Sequence, residues 1–108
     1  MSFHLTIEQA IAALKNETEN LFTVLLENGS MRVEYYAPKN IDHQTPHSQD
    51  EIYVIASGNG SFFRNGERVQ CKTGDVLFVP AGMEHYFENF TNDFATWVIF
   101  YGKEGGEG

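Results

Sequence analysis

Hydrophobic and polar positions follow two successive patterns along the chain. Near the start, Ile7, Ala10, Ile11 and Leu14 recur at helical spacing, and Thr6 with Gln9 three residues on fits a capping box. Together they predict one short amphipathic helix from residue 7 to about 16. The pattern then changes to short runs rich in β-branched and aromatic residues, broken by turn residues. Phe22 to Glu27, Met31 to Ala37, Glu51 to Ser57, Ser61 to Arg64, Glu67 to Cys71, Asp75 to Val79, His85 to Asn89 and Phe94 to Tyr101 read as strands. Asn28-Gly29, Asn65-Gly66, Lys72-Thr73-Gly74 and Pro80-Ala81-Gly82 read as turns, and Gly58-Asn59-Gly60 as a hairpin turn. Eight or nine short strands at near-regular spacing predict an all-β sandwich or small barrel. Two runs, Val76 to Val79 and Trp97 to Tyr101, are apolar on both faces. Either both faces pack within the fold or a second subunit covers one of them.

Composition narrows this picture. A chain of 108 residues holds one domain, and 42% apolar with 14% aromatic residues is too rich in core formers for a disordered one. The expected organisation is an N-terminal helical arm over 1–20, a β-barrel over 21–102, and a tail over 103–108 that lacks core formers and is expected to be mobile. The single Cys71 excludes an intramolecular disulfide. Fifteen acidic against seven basic residues give a net charge of −8, and the seven are scattered. Nucleic acid and anionic membrane surfaces are thereby excluded as expected partners. No apolar run approaches the ~20 residues that span a bilayer. The first fifteen residues lack a basic start, so a cytoplasmic location is expected.

Two clusters of side chains are competent to bind a metal. One runs from His43 to Glu51 and contains His43, His47, Asp50 and Glu51; the other is centred on His85. Neutral imidazole and carboxylate together suit Zn²⁺, Fe²⁺, Mn²⁺, Ni²⁺ or Co²⁺. On a flat strand His47 and Glu51 would stand about 13 Å apart, too far to share an ion. They converge only if the chain bends between them, and the polar, turn-prone Ser48, Gln49 and Asp50 are where a bend or bulge is expected. No nucleophile motif with a partnered base is present, and no glycine-rich loop leads into a helix, so covalent hydrolases and nucleotide-cradling proteins are disfavoured.

The stretch Gly74-Asp75-Val76-Leu77-Phe78-Val79-Pro80-Ala81-Gly82-Met83-Glu84-His85-Tyr86-Phe87-Glu88-Asn89 resembles the second cupin motif at every defined position: Gly74, Pro80, Gly82, His85 and Asn89. The second half of the first cupin motif is matched by His47, Glu51 and Gly58. The resemblance covers roughly residues 31 to 101 and implies a double-stranded β-helix, or jelly-roll barrel. It also implies one divalent transition metal (Fe, Mn, Ni or Zn) near the barrel mouth, held by His47, Glu51 and His85. The chain departs from the family where the first motif's leading histidine is expected: Thr45 stands there, and the leading glycine is absent too. A fourth ligand is therefore open between His43, an oxygen of Gln44 or Gln49, and water.

Two imidazoles and a carboxylate with open positions resemble the facial triad of non-haem iron enzymes. The function implied is a metal-dependent enzyme acting on a small organic molecule, of dioxygenase or isomerase type. The alternative is a non-catalytic cupin that binds a metal or small ligand as sensor, carrier or structural module. Cupins commonly pair through an outer sheet face, and the two-sided apolar strands make a homodimer the expected assembly. Gly58, Gly74, Gly82 and Pro80 read as structural, Asn89 as a turn or interior residue, and Tyr53, Phe62, Phe78, Phe87, Trp97 and Tyr101 mostly as core.

Overall fold

A computed structural model describes residues 3–108. The helix α1 spans Ile7–Lys15, and its capping box is formed: Gln9 N–H donates to the Thr6 hydroxyl (3.1 Å) and Thr6 N–H to the Gln9 side-chain oxygen (2.9 Å). Eight strands follow: β1 (Phe22–Asn28), β2 (Met31–Tyr36), β3 (Asp50–Ser57), β4 (Asn59–Arg64), β5 (Glu67–Lys72), β6 (Val76–Val79), β7 (His85–Glu88) and β8 (Ala95–Tyr101). They form an antiparallel five-stranded sheet in the order β1-β2-β8-β3-β6 and a three-stranded sheet in the order β5-β4-β7. The all-β jelly-roll expectation holds.

Strand parity sorts the large sheet into two faces. Inward stand Glu51, Tyr53 and Ile55 of β3, Thr96, Val98 and Phe100 of β8, and Val79 of β6, all buried. Between the sheets, Tyr53, Ile55, Val79, Val98 and Phe100 meet Phe62, Cys71, Phe87 and Phe94 in one core. Tyr53, Phe62 and Phe87 stack edge-on or tilted, with centroids 4.9 to 5.8 Å apart. On the outer face, α1 seats Ala10 against Tyr35 and Ala95, with Trp97, Ala56 and Leu25 around them. The helix thus covers one end of its own barrel. Beyond it, Phe78, Ile52, Ile99 and Val33 lie in register across four strands, half-buried or exposed.

The structure corrects two readings. Gly58-Asn59-Gly60 is not a hairpin turn: β3 and β4 belong to different sheets, and the chain crosses between them here. Gly58 has φ +75°, and a Cβ there would overlap Thr91, Asp93 and the Phe94 backbone, so the crossing requires glycine. Phe78 is on the outer face of an edge strand and 45% exposed, not core. The tail over 103–108 folds back by satisfying backbone donors: Gly105 N–H reaches the Ser48 carbonyl (2.7 Å) and Glu107 N–H the Asp50 carboxylate (2.8 Å). Among the described residues no helix is long and apolar enough to cross a membrane.

Candidate metal centre

Two loops bring three side chains together at one end of the core. Glu51 is the second residue of β3, turned inward between Val79 and Phe100 on the flanking strands and fully buried. His47 sits just before β3, where the chain bends at Ser48 and Gln49, so the bend anticipated from those polar residues is present. It carries His47 Nε2 to 3.8 Å from Glu51 Oε1, where a flat strand would have separated them. His85 opens β7 and is 1% exposed, and its Nε2 lies 2.9 Å from the same Glu51 oxygen. The ligand atoms of His47, Glu51 and His85 all fall within 4.8 Å of one another. Two donors about 2.1 Å from one ion can be up to ~4.2 Å apart, so shifts of a few tenths of an ångström suffice to close the set on an ion.

The backbone and neighbouring rings hold these groups. Gly82 N–H donates to the His47 carbonyl (2.8 Å), joining the loop that bears His47 to the one that leads to His85. The His47 ring meets Phe100 edge-on, with centroids 5.0 Å apart. His85 Nδ1 lies 2.9 Å from the Met83 carbonyl. A carbonyl only accepts, so Nδ1 carries a proton, and Nε2 either ligates an ion shared with Glu51 or, when protonated, donates to the Glu51 carboxylate.

Electrostatics separate the two histidines. Burial pushes the His47 pKa down, against the pull of Glu51, and the ring favours its neutral, ligating form. Burial also opposes charge on His85, but the contact with Glu51, the Met83 carbonyl and the charge of Asp42 outweigh it, and its pKa is raised. Both oxygens of Glu51 and Nε2 of His85 are fully buried; Oε1 and Nε2 have only each other, at 2.9 Å, and Oε2 has no hydrogen-bond partner. Leaving a buried polar atom unpaired costs roughly 1–3 kcal/mol, and more when it is charged. A divalent cation satisfies all three atoms at once, and imidazole with carboxylate is a suitable donor set for one.

The other candidates fall elsewhere. His43 is exposed and stands outside the group of three, although it lines the cavity that opens beside His47. Thr45 is exposed. Gln49 donates its amide to the carbonyls of Ser30 (2.9 Å) and Gly102 (2.8 Å). Gln44 faces the site, its Oε1 3.2 Å from His47 Nε2. Sequence reasoning missed Asp42, which is buried and accepts from Tyr36 OH (2.6 Å), Gln44 Nε2 (2.7 Å) and Phe87 N–H (2.9 Å). A signal was present: an Asp whose carboxylate caps the backbone two residues on, here Gln44 N–H at 3.3 Å, marks an Asx turn. Asn89 has φ +52° and is a turn residue.

The cavity beside His47 has a volume of about 370 Å³ and is walled by Arg32, Glu34, Tyr36, Val98 and Phe100. Arg32 pairs with Glu34 (2.7 Å) and lies over the Phe100 ring, 4.9 Å from its centroid. A larger cavity of about 620 Å³ lies between α1 and residues 92–95, meets this one only along Glu19 to Leu21, and contains none of the three donors.

Comparison with known proteins agrees with this architecture. An uncharacterized protein of Streptomyces coelicolor is 32% identical over 92 residues, covering 83% of this chain and 88% of the relative. The acireductone dioxygenase of Frankia alni is 39% identical over 64 residues, covering 55% of this chain; the match spans about a third (31%) of that enzyme's length. The crystal structure of a cupin-2 domain containing protein from Shewanella frigidimarina superposes with a TM-score of 0.67 at 14% identity, over 88% of this chain and 91% of the other. The profile of the cupin domain family matches residues 32–101, most of the chain and all of the strands from β3 to β8, so this protein belongs to the cupin family.

Proposed function

We propose that the protein holds one divalent transition metal (Fe, Mn, Ni or Zn) through His47, Glu51 and His85, and acts on a small organic molecule admitted through the cavity beside His47. The observation that carries this reading is the convergence of two imidazoles on a fully buried carboxylate, with Glu51 Oε2 unpartnered and Oε1 facing only His85 Nε2 at 2.9 Å and His47 Nε2 at 3.8 Å. A buried carboxylate beside neutral imidazoles is costly without a compensating charge, and a cation supplies it. When bound, the ion supplies Lewis acidity toward a substrate oxygen or toward water.

The chain's own residues do the rest. His85, locked by Met83, and Glu51, locked in β3, form the rigid part of the site. His47 is one-third exposed and faces the cavity, so the open side of the site points toward entering molecules. Arg32 and Glu34 offer a guanidinium and a carboxylate along the cavity wall, and Phe100 an apolar surface, enough to orient a compact molecule bearing several oxygens. The favoured chemistry is of dioxygenase or isomerase type, with the partial likeness to acireductone dioxygenase in support of the former. The apolar row Phe78, Ile52, Ile99 and Val33 fits a second copy of the chain, so a homodimer is expected by analytical ultracentrifugation.

The test is to load the chelator-stripped protein with Fe²⁺, Mn²⁺, Ni²⁺ or Zn²⁺ in turn. Oxygen uptake and product formation are then followed over small enediols and hydroxy acids, starting with acireductone. Metal-dependent turnover that disappears in His85→Ala supports the enzyme reading. Stoichiometric metal binding with no turnover on any substrate favours the non-catalytic carrier instead.

A further inference from the structure

Gln44 is the least expected neighbour of the three donors, and its side chain is fixed from both ends. Its Nε2 donates to Asp42 Oδ2 (2.7 Å), and its Oε1 accepts from Tyr53 OH (2.9 Å) while lying 3.2 Å from His47 Nε2. A carboxylate accepts only, so the amide NH₂ must face Asp42 and the carbonyl oxygen must face the site. Asp42 is itself anchored by Tyr36 OH and Phe87 N–H. Tyr53 is fully buried, and burial with the nearby Glu51 charge keeps its phenol protonated and donating. A flexible glutamine is thereby reduced to one orientation, with its oxygen beside a metal-competent nitrogen.

The Gln44 Oε1 to His47 Nε2 separation also matches what a shared ion needs. Adjacent donors about 2.1 Å from one octahedral ion stand roughly 3.0 Å apart. The 3.2 Å here and the 2.9 Å between His85 Nε2 and Glu51 Oε1 both agree with that spacing. Of the open alternatives, His43 and Thr45 are exposed and the Gln49 amide is held by Ser30 and Gly102.

We propose that the Gln44 side-chain oxygen is the fourth protein donor to the divalent metal, with Asp42 and Tyr53 as positioning residues. This inference rests on the metal-binding reading above. A neutral amide oxygen in place of an imidazole makes the set two nitrogens and two oxygens. Such a set is harder than three imidazoles and a carboxylate, and favours Mn²⁺ and Fe²⁺ relative to Zn²⁺ more than that set does.

The experiment titrates Co²⁺ into the stripped full chain at pH 7.5, reading calorimetric affinity and the visible d–d absorption, for the parent protein, Gln44→Ala, Gln44→Leu, Tyr53→Phe and His85→Ala. Gln44→Ala should weaken Co²⁺ binding about 10- to 100-fold and change the d–d band as one donor is lost. Gln44→Leu, of similar volume but without an oxygen, should weaken binding and change the band as Gln44→Ala does. Tyr53→Phe should weaken binding more mildly and keep the parent band, because the Gln44 oxygen remains. If Gln44→Ala keeps the parent affinity and band while His85→Ala loses Co²⁺, Gln44 is not a donor and the three-ligand reading stands. If the parent takes up no Co²⁺, the metal-binding reading fails, and this inference with it. Should Gln44→Ala unfold, as judged by far-UV circular dichroism, Gln44→Leu decides, and parent affinity with an unchanged band overturns the proposal.

Discussion

The connection from β6 to β7 runs five residues, Pro80 to Glu84, whereas that from β2 to β3 runs thirteen, Ala37 to Gln49. Both deliver a histidine to the same carboxylate, by different means. In the short loop the backbone does the work. Pro80 ends the strand, Gly82 takes φ +78°, and the Met83 carbonyl fixes the ring of His85. In the long loop one buried side chain does it: Asp42 gathers Tyr36, Gln44 and the β7 backbone, and Gln44 in turn reaches His47 and Tyr53. A loop shaped by glycine and proline is rigid by local geometry. A loop shaped by a side-chain network is rigid only while every member is present.

The largest expected effect comes from the short loop. His85→Ala should reduce bound metal from near one equivalent per chain to near zero while the β-sheet circular dichroism spectrum persists. Unchanged metal content would remove His85 from the site. On the long-loop side, Asp42→Ala leaves the Phe87 N–H, the Tyr36 hydroxyl and the Gln44 amide without their acceptor. Urea unfolding should then show a loss on the order of 3 kcal/mol. A loss below about 1 kcal/mol would mean that the network is dispensable and the contrast between the loops is false.

A smaller effect is expected at the tail, which bonds to Ser48 near the end of the long loop and to Asp50, the first residue of β3. Ending the chain after Gly102 should lower Tm by about 4–8 °C, the equivalent of roughly 1 kcal/mol in a domain of this size. An unchanged Tm would show that these contacts add nothing to the loop.

The smallest effect concerns Glu34 in the cavity wall. Burial raises its pKa, Glu51 and Glu27 add to the rise, and Arg32 opposes it. A carboxyl whose folded pKa lies above its unfolded value makes the native state bind the extra proton. Its ionisation therefore costs stability as pH rises through the folded pKa, and costs nothing below the unfolded value. Glu34→Gln should raise Tm relative to the parent at pH 7, with the gap closing near pH 4. A gap that is constant with pH would assign the effect to packing.

The comparison of loops also explains what could be read from the chain alone. The strands were legible because alternation and turn residues are local signals, and the capping box of α1 needed only Thr6 and Gln9. His85 was legible because Gly74, Pro80, Gly82, His85 and Asn89 stand at the spacings of the second cupin motif, which the resemblance carries over to this chain. The approach of His47 to Glu51 was legible only as a condition, that the chain bend at Ser48 and Gln49. The crossing at Gly58 was not, because a glycine that permits a hairpin and one that admits a neighbouring backbone leave the same letter in the sequence. Asp42 was hidden for a related reason: its partners Tyr36 and Phe87 lie on other strands, and only the cap on Gln44 is local. Gln44 sits in a segment without regular structure, where strand parity does not say which of 43, 44 or 45 turns inward.

The most direct test of the central claim is elemental analysis of the purified, untagged protein, with metal counted per chain before and after exposure to Fe²⁺, Mn²⁺, Ni²⁺ and Zn²⁺ at neutral pH. The account predicts close to one equivalent of a divalent transition metal, lost on replacing His85 or Glu51. Repeated absence of metal, even when each ion is offered, would contradict it and leave His47, Glu51 and His85 as polar groups lining a metal-free barrel.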